Sequence, residues 1–70
     1  MIIKRSITIK GHSTSISLEN SFWDGLNEIA KVRKISIASL VAEIDKNRSS
    51  KQEYGLSSAV RVFILNYFRG

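Results

Sequence analysis

The side chains able to do chemistry in this chain are mostly hydroxyls, and Ser6, Thr8, Ser13, Thr14, Ser15 and Ser17 crowd its N-terminal third. A hydroxyl becomes a nucleophile only beside a general base. His12, the single histidine, follows Gly11 in a turn-like pair with no acid close in sequence, and reads as a turn or surface residue. No G-x-S-x-G and no glycine-rich phosphate loop is present. Glu43 and Asp45 are two residues apart, so on a helix they point in different directions and cannot form an acid–base pair. The chain has no cysteine, which excludes disulfides and thiolate metal sites. No enzymatic activity, metal or cofactor is expected.

Hydroxyls also serve recognition, and their spacing here favours it. In Ser13-Thr14-Ser15-Ile16-Ser17-Leu18 the side chains alternate, with Thr14, Ile16 and Leu18 on one face and Ser13, Ser15 and Ser17 on the other. Such a period of two marks a half-buried strand. Its polar face carries nothing large, so it can lie close against another polar surface. A two-stranded antiparallel ribbon fits the major groove of DNA, where short polar side chains reach base edges. A solvated strand face is the plainer alternative, and periodicity alone does not choose between them.

The elements that position this strand follow along the chain. Residues 4–10 alternate as well, and form either a first strand or a basic arm. With Gly11-His12 as a two-residue loop, a hairpin would pair Lys10 with Ser13, Ile9 with Thr14, Ile7 with Ile16 and Ser6 with Ser17. A first helix is expected over 20–33, capped by Asn20 or Ser21, with Ser21 and Asp24 at the spacing of a capping box. Its apolar stripe is Phe22, Trp23, Leu26, Ile29 and Ala30, interrupted by Gly25. A second helix over 36–47 starts at Ser36 and carries Ile37, Leu40, Val41 and Ile44 at core spacing. Residues Asn47 to Glu53 read as a surface connection. A third helix over 57–69, with Gly55 as the turn residue before it, bears Ala59, Val60, Phe63, Ile64 and Tyr67. Val62, Leu65 and Phe68 lie off that stripe, so this helix is apolar nearly all round and needs burial on more than one side.

Seventy residues make a single domain, 1–70, whose core alone gives only marginal stability. With disulfides and metals excluded, oligomerisation is the remaining staple, and a homodimer or higher homo-oligomer is expected. A second subunit is expected to share the burial of Ile16, Leu18, Leu40, Val41, Ile44, Val60, Phe63, Ile64 and Tyr67. The net charge is +5, from 11 Lys and Arg against 6 Asp and Glu, which favours nucleic acid or an anionic surface. Lys4, Arg5 and Lys10 precede the first acid, Glu19. Lys31, Arg33 and Lys34 cluster at the end of the first helix, where they suit the helix dipole as well as a phosphate. Met1-Ile2-Ile3 is too short for a signal peptide and no stretch approaches a membrane span, so a cytoplasmic protein without membrane contact is expected.

The order strand, helix, serine-capped turn, helix resembles the ribbon-helix-helix repressors of the Arc and Met type. Ser15-Ile16-Ser17-Leu18 resembles the ribbon, Phe22 to Ala30 the first helix, and Ser36-Ile37 to Ile44 the second. The chain is also similar to a group of short bacterial ribbon-helix-helix proteins. Gly11-His12, Ser15 to Glu19, Phe22-Trp23, Leu40 to Asp45 and Leu56 to Phe63 are among the matching residues. The resemblance implies an α+β, mostly helical fold, a strand or hairpin followed by three helices, forming an intertwined dimer. It further implies a transcriptional regulator that binds double-stranded DNA. Ser13, Ser15 and Ser17 would read bases, Lys4, Arg5 and Lys10 would attract phosphates, and Ser36, with the N–H groups of Ile37 and Ala38, would clamp the backbone. An interaction module or antitoxin, with the C-terminal helix on a partner protein, is the alternative. Two departures accompany the resemblance. Lys34 stands where the superfamily often has glycine, and a strand over 4–10 would make the dimer's sheet four strands wide.

Overall fold

In the computed structural model, which describes residues 1–47 and 55–70, the chain forms a β-hairpin followed by three helices. The hairpin consists of β1 (Ile2–Ile9) and β2 (His12–Glu19). Helices α1 (Asn20–Arg33), α2 (Ile37–Asn47) and α3 (Leu56–Arg69) pack against it. The surface connection expected after Asn47 lies outside the described residues.

Residues 4–10 therefore belong to a strand, yet the register differs from the one the loop spacing predicts. The turn is Lys10-Gly11, not Gly11-His12, and Ile9 pairs with His12. Ser6 consequently faces Ser15 rather than Ser17, and Ile7 faces Thr14 rather than Ile16. Both turn residues have positive φ, 52° at Lys10 and 80° at Gly11. That is the type I′ pattern, which places glycine second rather than first. The displacement along the partner strand is two residues, an even number, so every side chain keeps its expected face.

The apolar face of the hairpin lies on the helices. Ile9, Ile16 and Leu18 are buried with Leu26, Ile29 and Ala30 of α1, Leu40, Val41 and Ile44 of α2, and Ala59, Val60 and Ile64 of α3. Seven of the residues expected to need a second subunit, Ile16, Leu18, Leu40, Val41, Ile44, Val60 and Ile64, are thus covered within one chain. Helix α3 packs on β2, α2 and α1, and β1 packs on α2. Phe63 is half-buried against this core, and Tyr67 is exposed.

Helix ends follow local chemistry. Helix α1 has the expected bounds, but its N-cap is Glu19, two residues before the Ser21 of the capping box, with no side-chain cap bond. Ser21 and Asp24 consequently fall inside the helix. At the other end Lys34 is left-handed, φ 59° and ψ 41°. Its N–H reaches Lys31 O and that of Ile35 reaches Ala30 O, at 3.2 and 3.0 Å. These two bonds make a Schellman motif, which normally takes glycine at the left-handed position. Gly25 meets α3 closely: a Cβ there would lie 3.2 Å from Ile64 Cγ2 and 3.3 Å from Phe68 Cε2. The close neighbours at this glycine are the side chains of Ile64 and Phe68.

Two ion pairs tie elements together. Arg33 holds Glu43 through two bonds, Nη1 to Oε2 at 2.6 Å and Nη2 to Oε1 at 2.9 Å, joining α1 to α2. Arg61 of α3 reaches β2, donating from Nε to Glu19 Oε1 at 2.9 Å and from Nη2 to Ser17 O at 2.8 Å. One turn earlier, Ser57 Oγ accepts the N–H of Ser17 at 2.9 Å. The Glu19 carboxyl is held below its ordinary value of 4.5, first by its own backbone N–H and then by Arg61. Arg33 likewise holds Glu43 low.

Two outcomes are expected. Lys34→Gly relieves a left-handed side-chain residue, and should raise stability by roughly 1 kcal/mol in urea titration; an unchanged midpoint would show that the turn carries no strain. The second concerns acid. A carboxylate whose folded pKa is lowered contributes stability that is complete above its unfolded value and is lost as pH falls through the folded one. Glu19→Gln should therefore lose less stability than the parent as pH falls below about 4.5. Urea titrations from about pH 7 to about pH 2 measure this, and superimposable acid limbs would refute it.

Candidate nucleic-acid interface

The outer face of the hairpin follows from the alternation once the register is known. Its rows are Lys4 opposite Ser17, Ser6 opposite Ser15 and Thr8 opposite Ser13, with Lys10 at the turn beyond them. All are exposed except Ser17, which is half-buried beside α3. Every position in these rows is a hydroxyl or a lysine. These three rows are cationic, and a fourth row on the same face places the exposed Ile2 opposite Glu19, whose carboxylate is engaged by Arg61. Ser13, Ser15 and Ser17 are brought together with Lys4 and Lys10, as the sequence predicts. Ser6 and Thr8 join them from β1, which doubles the hydroxyl surface; the period of two already places them there.

Arg5 is not on this face. It stands opposite Ile16 on the helix-facing side, with Cζ 4.2 Å from the Trp23 ring centroid. Stacked in this way the guanidinium contributes a cation–π contact to the α1–sheet junction. Its Nη1 is buried and has no hydrogen-bond partner among the described residues. A phosphate on the outer face is on the other side of the sheet from Arg5. The physical reason is parity, because Arg5 shares the alternation of Ile3, Ile7 and Ile9.

Ser36, Ile37 and Ala38, the residues of the expected phosphate clamp, stand at the start of α2. Ser36 Oγ accepts the N–H of Ser39 at 3.0 Å and donates to Ser39 Oγ at 2.9 Å. The hydroxyl therefore works as the helix cap. The N–H groups of Ile37 and Ala38 are in the first turn, where helix geometry offers them no acceptor. Of the basic cluster ending α1, Arg33 is paired with Glu43, while Lys31 and Lys34 are exposed.

Sequence spacing gives no hint of one further arrangement: a cleft of about 250 Å³ is lined by Ile9, Lys10, His12, Thr14, Asp45 and Leu56. His12 and Asp45 both line it, although they are far apart in sequence. Among the described residues, no group of three or more His, Cys, Asp or Glu is placed to hold a metal ion. No helix among them is long and apolar enough to cross a membrane.

If Arg5 acts through Trp23 and not through DNA, Arg5→Met should lower the thermal midpoint and leave the salt dependence of duplex binding unchanged. A reduced salt slope with unchanged stability would return Arg5 to the interface.

No curated protein and no solved structure matches the chain. The family model for the ribbon-helix-helix domain matches residues 2–68, covering the hairpin and nearly all of the three helices, and the chain belongs to that family.

Proposed function

We propose that the protein is a small cytoplasmic transcriptional repressor that binds double-stranded DNA as a homodimer, with the hairpin's outer face in the major groove. The observation that carries this reading is the composition of that face. Lys4, Ser6, Thr8, Ser13, Ser15 and Ser17 occupy three adjoining rows without an acid or a large apolar side chain. Membership of a DNA-binding family supports it. Lysines at either end attract phosphates without regard to sequence, and the hydroxyls between them donate to or accept from base edges. The start of α2 supplies a backbone anchor through Ile37 and Ala38, with Ser36 holding the helix end in place.

The second subunit belongs on the outer side of α3. Val62, Leu65, Tyr67 and Phe68 remain exposed there. Leu65 and Phe68 also line an apolar cleft of about 220 Å³ with Phe22, Gly25 and Ile64. The same surface favours a second reading, an antitoxin-like module whose C-terminal helix binds a partner protein. Light scattering separates the two: a dimer that covers this face fits self-association, whereas a species that still binds a hydrophobic dye there fits an additional partner.

Fluorescence polarisation with random and upstream-region duplexes tests the DNA reading. Lys4→Gln and Lys10→Gln should each weaken binding to all duplexes and lower the salt slope by about one. Ser13→Ala and Ser15→Ala should change the ranking of duplexes while keeping the slope. Absence of binding at low salt would end this reading.

A further inference from the structure

The hairpin carries one acid, Glu19, and parity puts it on the same outer face as the serine rows. Its place immediately before α1 sets a negative charge at the positive end of that helix, where an acid is favoured. On a face that meets phosphates the same charge is adverse. Lys4 stands opposite Ser17 and so lies diagonal to Glu19, roughly 7–8 Å away along the sheet. That is within the screening length of about 10 Å at 0.1 M salt, and a lysine stem is long and flexible enough to close the gap. Left unpaired, the carboxylate would draw in Lys4. Arg61 takes it instead. Its Nε donates to Glu19 Oε1 at 2.9 Å and its Nη2 to Ser17 O at 2.8 Å, with Cζ 6.0 Å from the Phe22 ring centroid. A planar guanidinium meets both acceptors at once and is held in that place. Lys4 has no ion-pair partner among the described residues.

We propose that Arg61 is a determinant of DNA affinity that acts without touching the duplex: by taking the Glu19 carboxylate, it keeps Lys4 available to a phosphate. This inference deepens the DNA-binding reading and rests on it. In that reading Lys4 supplies charge at the end of the rows where Glu19 lies, and an unpaired Glu19 would cancel that charge. The acid before α1 and the lysine on the outer face are compatible because α3 supplies a third charged group. Arg61 is thus a positioning residue. Direct contact makes a different demand, since a cation that itself met a phosphate would be missed whether or not Glu19 were present. A masking residue is missed only while Glu19 is there.

Fluorescence polarisation with a labelled random-sequence duplex, read across salt at a folded fraction matched by circular dichroism, tests the masking. Arg61→Gln should bind roughly fivefold to tenfold more weakly at about 0.1 M salt, with the salt slope lowered by about one. Glu19→Gln/Arg61→Gln should recover the parent slope, with an affinity within about twofold of the parent. An Arg61→Gln variant that binds like the parent, or a double variant that stays as weak as Arg61→Gln, would overturn the proposal. A second measurement needs no DNA. Followed by NMR, the titration midpoint of Glu19 should be the same in Lys4→Gln as in the parent, because Arg61 holds the carboxylate there. In the Arg61→Gln background, Lys4→Gln should raise that midpoint, because Lys4 has become the partner. Equal effects of Lys4→Gln in both backgrounds would overturn the proposal even if the binding results agreed with it. A parent that binds no duplex at low salt ends the DNA reading itself and the proposal with it, whereas a parent that binds while its variants fail these comparisons sinks the role of Arg61 alone.

Discussion

A two-stranded sheet has no interior strand, so half of its backbone donors and acceptors face outward, and the fold depends on what meets them. Here the most consequential contact is made by α3, which brings Ser57 and Arg61 to the Ser17 backbone. The two residues are four apart and so lie on one helix face. That anchor fixes where α3 sits, and with it which of its apolar residues enter the core. Ala59, Val60 and Ile64 turn inward, and Val62, Leu65 and Phe68 remain outside. Arg61 is partly exposed, and its contribution lies in direction more than in strength: it couples the C-terminal helix to the strand that carries the serine face.

The helices then act as a backing for the hairpin. Strand β2 runs straight into α1 at Glu19, so the end of the ribbon and the start of the helix are one joint. The Schellman turn at Lys34 and the Arg33–Glu43 pair hold α2 against α1. Close approach at Gly25 brings α3 onto α1. The hairpin is thereby backed by the three helices, in a chain whose radius of gyration is 11.4 Å.

Much of this was legible from periodicity, and the misses have physical causes. Period two identified β2 and the serine face and allowed residues 4–10 as either a strand or an arm, and the faces hold because face assignment depends only on parity. Register depends on which residues tolerate positive φ, and Lys10 gives no signal of that tolerance, so the loop was placed one residue late. Arg5 could have been placed correctly: it shares the parity of Ile3, Ile7 and Ile9, but its charge drew it to the phosphates. The breadth of apolar residues on α3 showed that two sides must be covered, yet not by what. Within the chain, β2, α2 and α1 cover Ala59, Val60 and Ile64, and the side bearing Val62, Leu65 and Phe68 stays exposed. Nothing in Ser57 or Arg61 marked them in advance, since a serine and an arginine four apart on a helix are ordinary surface residues until a strand edge lies beside them.

The make-up of the outer face has a thermodynamic consequence. Between Lys4 and Lys10 it is built of serine and threonine, side chains with very few rotamers to surrender. Binding through long side chains costs about 0.5–1.5 kcal/mol of ordering for each one immobilised; a hydroxyl face forfeits much less. It also adapts less, because a short side chain cannot reach across a misplaced gap. Selectivity on such a face is set by the backbone beneath it, so the packing of Ile16 and Leu18 is felt at the surface as the spacing of its hydroxyls. The hydrophobic core and the hydroxyl face are two sides of the same pleat.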